Sequence, residues 1–104
     1  MNKKSRDTLR DIMLSYRQIR DKLKATEEKL NELDAKLGRL ESDEHFNLDN
    51  TPDNLKNSLT YDERADKADL LTDIWASATT ITSDCNDLIS KIEDLLNDAD
   101  DVIS

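Results

Sequence analysis

Few residues in this chain are of the types that carry chemistry, and fewer are spaced to do it. His45 is the only histidine. Beside Asp43 and Glu44 it could touch a metal ion, but no second His and no nearby Cys completes a site. A lone imidazole also leaves little room for a His-based catalytic arrangement. A solvated linker residue is what the pattern predicts for it. Cys85 is the only cysteine, which excludes an intramolecular disulfide and a multi-cysteine zinc site. It falls within an apolar repeat, as a small core residue does and a reactive thiolate does not. Asp49, Asn50, Asp53 and Asn54 are calcium-ligand types, yet the loop glycine and closing glutamate of an EF-hand are missing. Gly38 is the only glycine, so no Gly-rich phosphate loop exists. The abundant carboxylates read as solvated helix surface. The expectation is a non-enzymatic chain with no catalytic, cofactor-binding or metal-binding residue.

Charge narrows the partners. The formal net charge of −9 disfavours direct nucleic-acid binding, because like charge repels the phosphate backbone. The average hides an asymmetry. Lys3, Lys4, Arg6, Arg10, Arg17, Arg20, Lys22 and Lys24 face only Asp7, Asp11 and Asp21 within residues 1–24, whereas residues 43–104 are strongly acidic. No apolar run reaches membrane-spanning length, and no apolar segment follows the basic start as in a signal peptide. A soluble protein in the reducing cytoplasm is expected.

The elements that must position these groups are helices. With one glycine and one proline, Pro52, the chain lacks the turn residues a β-protein needs. Leu9, Ile12, Tyr16, Ile19, Leu23, Leu30, Leu33, Leu37 and Leu40 step by 3 and 4, broken only by Thr26. Lettered as heptads, a falls at 9, 16, 23, 30 and 37, and d at 12, 19, 26, 33 and 40. Leu71, Ile74, Ala78, Ile81, Cys85, Leu88, Ile92, Leu95, Ala99 and Val102 repeat the pattern from a at 71. Sustained heptads of this kind predict coiled-coil-type helices over about 5–42 and 61–103. The polar stretch 43–60 becomes a linker with a possible short helix after Thr51-Pro52, and Thr60 with Glu63 fits a capping box. The fold class is all-α: one domain, an antiparallel helical hairpin, its basic start folded beside Glu93, Asp94, Asp98, Asp100 and Asp101.

Helix 2 is apolar at e as well as at a and d. A lone hairpin seamed on a and d would leave Trp75, Ile89, Leu96 and Ile103 wet, and dimerisation into a four-helix bundle is the simplest way to cover them. A rival arrangement pairs two copies of helix 1 in parallel, with Lys22, Lys29 and Lys36 at g facing Glu27, Asp34 and Glu41 at e. Residues 75–83 carry no ionisable group, in a chain that is 38% charged. Trp75, Ala76, Thr79, Thr80 and Ser83 there are candidates for partner binding, since small neutral residues are cheap to desolvate. Asp66, Asp73, Asp87, Asp94 and Asp101 recur at c as an acidic stripe.

The segment Glu28–Ala35 resembles part of the Rop family, hairpins that dimerise into four-helix bundles and bind paired RNA loops. The resemblance covers common helix formers and carries no RNA site to this chain. The functional expectation is a protein–protein interaction module, an adaptor, chaperone-like subunit, assembly factor or inhibitor, working as a homodimer with another protein as its partner. The alternative is an acidic mimic of nucleic acid acting through Asp87, Asp94 and Asp101, as phage and mobile-element inhibitors do. A small RNA-binding bundle using the basic end is the weaker form of that alternative.

Overall fold

The computed structural model describes residues 1–104 and contains two long helices and no strand. Helix α1 spans Lys3–Asp49, a single 3-10 turn spans Asp53–Leu55, and helix α2 spans Leu59–Ile103. Hydrogen bonds from side chains set the ends. Asn2 Oδ1 accepts from the Ser5 N–H at 2.8 Å and opens α1. At its C-terminus the Asn50 amide donates to the Phe46 carbonyl at 2.8 Å, and the Thr51 hydroxyl donates to the Asn47 carbonyl at 3.1 Å. Pro52 follows and cannot continue the helix. The cap of α2 is Ser58, whose Oγ accepts from the Tyr61 N–H at 3.1 Å.

Both helices overrun the bounds that the heptads suggest. Residues 43–49, expected in the linker, are helical because α2 holds them there. Arg64 reaches Glu44 at 3.1 Å, the His45 ring lies 3.1 Å from the Thr72 hydroxyl, and Leu48 is buried. The capping box at Thr60 and Glu63 gives way to Ser58, so the connection shrinks to residues 50–58.

The chain divides into two compact units. The first, Met1–Lys29 with Ser83–Ser104, is an antiparallel pair of helix halves. Arg17 meets Asp100 at 3.7 Å and Lys24 meets Glu93 at 3.1 Å. One heptad forward on α1 is thus one heptad back on α2. Each ion pair is half-exposed and contributes only tenths of a kcal/mol to about 1. The unit is held by Met13, Ile92, Leu96 and Ala99, with Leu9, Tyr16, Leu23 and Ile103 packed against them. Burying each large aliphatic side chain there stabilises by about 1.5–3 kcal/mol.

The second unit, Leu30–Thr82, is a helical hairpin containing the turn. Leu48 and Ala68 are buried in it. Gly38 sits mid-helix because the Trp75 indole lies against its backbone. A Cβ there would come within 3.1–3.4 Å of three indole ring atoms. Glu41, His45 and Thr72 form a polar cluster: the Thr72 hydroxyl lies 3.0 Å from Glu41 Oε1, and His45 Nε2 lies 3.2 Å from the same oxygen. His45 is therefore a half-buried helical residue that bridges α1 and α2, and the expectation of a solvated linker residue is corrected by the extension of α1.

The packing also corrects the seam. The helices meet on a and e, not on a and d. At e, Met13, Leu48, Ile89 and Leu96 are buried, and Ile103 is half-buried. At d, Ile12, Ile19, Leu33, Leu40, Ile74, Ile81, Leu88, Leu95 and Val102 are exposed. Of the residues expected to be wet at e only Trp75 is exposed, and the wet face lies mainly at d. The physical reason is the breadth of the apolar face: with three apolar positions per heptad, one neighbour covers only two. In the first unit Met13 and Leu96 at e pack in one cluster with Ile92 and the small Ala99 at a. The same rotation half-buries Glu27, Asp34 and Glu41 at e, the charges that the rival parallel pairing of α1 would use.

Candidate interaction surface

Among the residues singled out for chemistry, no group of three or more His, Cys, Asp or Glu side chains is arranged to hold a metal ion. Cys85 is half-buried and its Sγ lies 3.7 Å from the Leu23 carbonyl oxygen, as a core thiol with a weak hydrogen bond would. On α1, Glu27 has one buried carboxylate oxygen with no hydrogen-bond partner. A cleft of about 360 Å³ opens at the turn of the second unit, lined by Thr51, Leu55, Ser58, Thr60, Tyr61 and Arg64. Its Ser58 and Arg64 side chains are committed elsewhere. The Ser58 hydroxyl caps α2 and donates to the Leu55 carbonyl, and the Arg64 guanidinium pairs with Glu44. No helix is long and apolar enough to cross a membrane.

The neutral segment of α2 lies mostly in the second unit. Trp75, Ala76, Thr79 and Thr80 are exposed there, and Ser83 is exposed in the first. Its threonines turn their hydroxyls inward along the helix. Thr79 donates to the Trp75 carbonyl at 3.0 Å, Thr80 to Ala76 at 3.1 Å, and Thr82 to Ala78 at 3.1 Å. With those protons already satisfied, covering the segment leaves no threonine hydroxyl donor stranded. The acidic stripe Asp66, Asp73, Asp87, Asp94 and Asp101 is exposed throughout.

The residues expected to form the core separate into two sets. Ile89, Ile92 and Leu96 are buried, and Leu9, Tyr16, Leu23, Leu30, Leu37 and Leu71 are half-buried along the seam. Ile12, Ile19, Leu33, Leu40, Ile74, Ile81, Leu88 and Leu95 are open to solvent. The second set is ordered in space. At about 100° per residue, d lies about 80° from the midpoint of a and e. Two antiparallel helices turn in opposite senses when viewed from one end, so equal offsets from the seam fall on one side. Ile12 and Ile19 therefore share a face with Leu88, Leu95 and Val102 in the first unit. Leu33 and Leu40 share one with Ile74 and Ile81 in the second. Thr26, which breaks the stripe on α1, donates its hydroxyl to the Lys22 carbonyl at 2.9 Å.

Three features escaped the sequence: the burial of Met13, the close approach of Trp75 to Gly38, and the polar cluster at Thr72. Met13 and Leu48 are 35 residues apart, a whole number of heptads, and that phase is a signal for e. The other two have no sequence signal, since each depends on the register between helices. Comparison with known proteins finds no family model, no curated protein and no solved structure that matches this chain.

Proposed function

We propose that this chain is a non-enzymatic protein–protein interaction module, an adaptor, assembly factor or inhibitor that acts in the cytoplasm through its exposed heptad face. The observation that carries the reading is the outward d stripe. Five large apolar residues of the first unit and four of the second stand open to solvent at regular coiled-coil spacing, in a chain that is only 36% apolar. Isolated surface leucines are ordinary, but contiguous apolar faces mark contact sites. A coiled-coil seam of this kind is suited to receiving further helices and closing a four-helix bundle. The back-bonded threonines of α2 lower the cost of covering the neutral segment beside it.

A second reading rests on the exposed acidic stripe: a mimic that occupies the basic groove of a nucleic-acid-binding protein through Asp87, Asp94 and Asp101. Direct RNA binding by the basic end has weaker support, since Arg17 and Lys24 are already paired with Asp100 and Glu93.

One experiment separates the readings. The tagged chain is used for capture from its native host beside two variants, Ile74→Glu/Ile81→Glu and Asp87→Asn/Asp94→Asn/Asp101→Asn. The module reading expects a specific protein retained by the wild type and the Asn variant and lost from the Glu variant. Loss from the Asn variant alone would transfer the function to the acidic stripe.

A further inference from the structure

We infer that the partner seated on the apolar face of the first unit is a second copy of this chain, with α1 of one copy lying against α2 of the other. The inference rests on the module reading above and names an occupant for its face. Exposure is the first support. Ile12, Ile19, Leu88, Leu95 and Val102 are large apolar side chains left open to solvent in this one unit, and an apolar face of that kind marks a contact site.

Composition of the face is the second support. Ile12, Ile19, Leu88, Leu95 and Val102 are 39–52% exposed, and no d position between 12 and 26 or between 88 and 102 carries a charge. The face has two parallel tracks, one from each helix, which is the self-complementary form a two-fold interface needs.

The rims of the face supply orientation. The g positions flanking the α1 track within this unit are Thr8, Ser15, Lys22 and Lys29, so that rim is basic. Those flanking the α2 track are Asp84, Lys91 and Asp98, so that rim is net acidic. A two-fold axis along the helices sets the basic rim of one copy against the acidic rim of the other. An axis across the helices sets each rim against its own like, with Lys22 and Lys29 among lysines. Electrostatics of this kind choose register and orientation more than they supply affinity.

Sedimentation equilibrium of the full chain at about 10–100 μM tests the inference. The wild type should give twice the chain mass. Ile19→Glu and Leu95→Glu should each weaken association by at least about 100-fold, since a charge would be buried without a partner. Leu14→Glu removes an equally exposed apolar side chain at f, off the face, and should leave the dimer intact. Circular dichroism of each variant verifies its helix content. In a Cys85→Ser background, chains carrying Ile19→Cys mixed with chains carrying Leu95→Cys should form an interchain disulfide faster than either chain alone. A wild-type monomer at 100 μM, or dissociation by Leu14→Glu equal to that by Ile19→Glu, overturns the second copy as occupant. If a monomeric wild type still loses its captured host protein on Ile19→Glu, the module reading stands without it. Faster cross-linking of Ile19→Cys with itself overturns the orientation.

Discussion

At the scale of single residues, two positions do work that their types alone would not suggest. Gly38 makes room for an indole, and it does so with an ordinary helical backbone, since no residue of the chain has positive φ. Gly38→Ala gains about 1 kcal/mol of helix propensity but places a methyl 3.1 Å from Trp75 Cζ2. Trp75 is partly exposed and its ring can tilt outward. The net stability change is therefore expected to stay within about 0.5 kcal/mol, while emission of the sole tryptophan shifts to the red and quenches more readily with iodide. Unchanged emission with a full gain in stability would mean that the ring does not lie where the structure has it. Ser58 is the second position. Ser58→Ala should cost about 1 kcal/mol in urea unfolding, whereas Thr60→Ala should cost much less, and the reverse order would restore the cap to Thr60.

At the scale of elements, the point at issue is which heptad positions form the seam. Met13 and Ile12 are neighbours with opposite fates, one buried and one nearly half-exposed. Met13→Ala should cost about 2–5 kcal/mol at any protein concentration. Ile12→Ala should leave the unfolding of the isolated chain within about 0.5–1 kcal/mol of wild type and act on association instead. A larger unimolecular loss at Ile12 than at Met13 would return the seam to a and d.

The same pair shows what the sequence makes legible. The two helices, their antiparallel sense and the breadth of the apolar face can be read from spacing and charge, because a repeat of 3 and 4 and opposite-sign ends are properties of each helix alone. Which pair of the three apolar positions faces the neighbour is not, because rotation about the axis is settled jointly by both surfaces: Met13 on α1, and Ile92, Leu96 and Ala99 on α2. Helix ends fail for a related reason. Asp43, Glu44 and His45 read as loop by local preference, and become helix through Arg64 and Thr72 on the facing helix. Of the interaction surface, the neutral segment and the acidic stripe were visible directly. The d stripe was visible only as core, and its exposure needed the structure.

For the whole molecule, the outward stripe has one consequence that can be measured. A chain whose apolar face is completed by a second copy is stabilised by mass action, and one that is complete alone is not. The most direct measurement is the midpoint of thermal unfolding, followed by circular dichroism at 222 nm, across an about 100-fold range of protein concentration at fixed salt. Self-association through the d stripe requires Tm to rise by several degrees over that range, and requires the rise to vanish in Ile19→Glu. A wild-type Tm independent of concentration would contradict the claim that this face is covered by another copy of the chain.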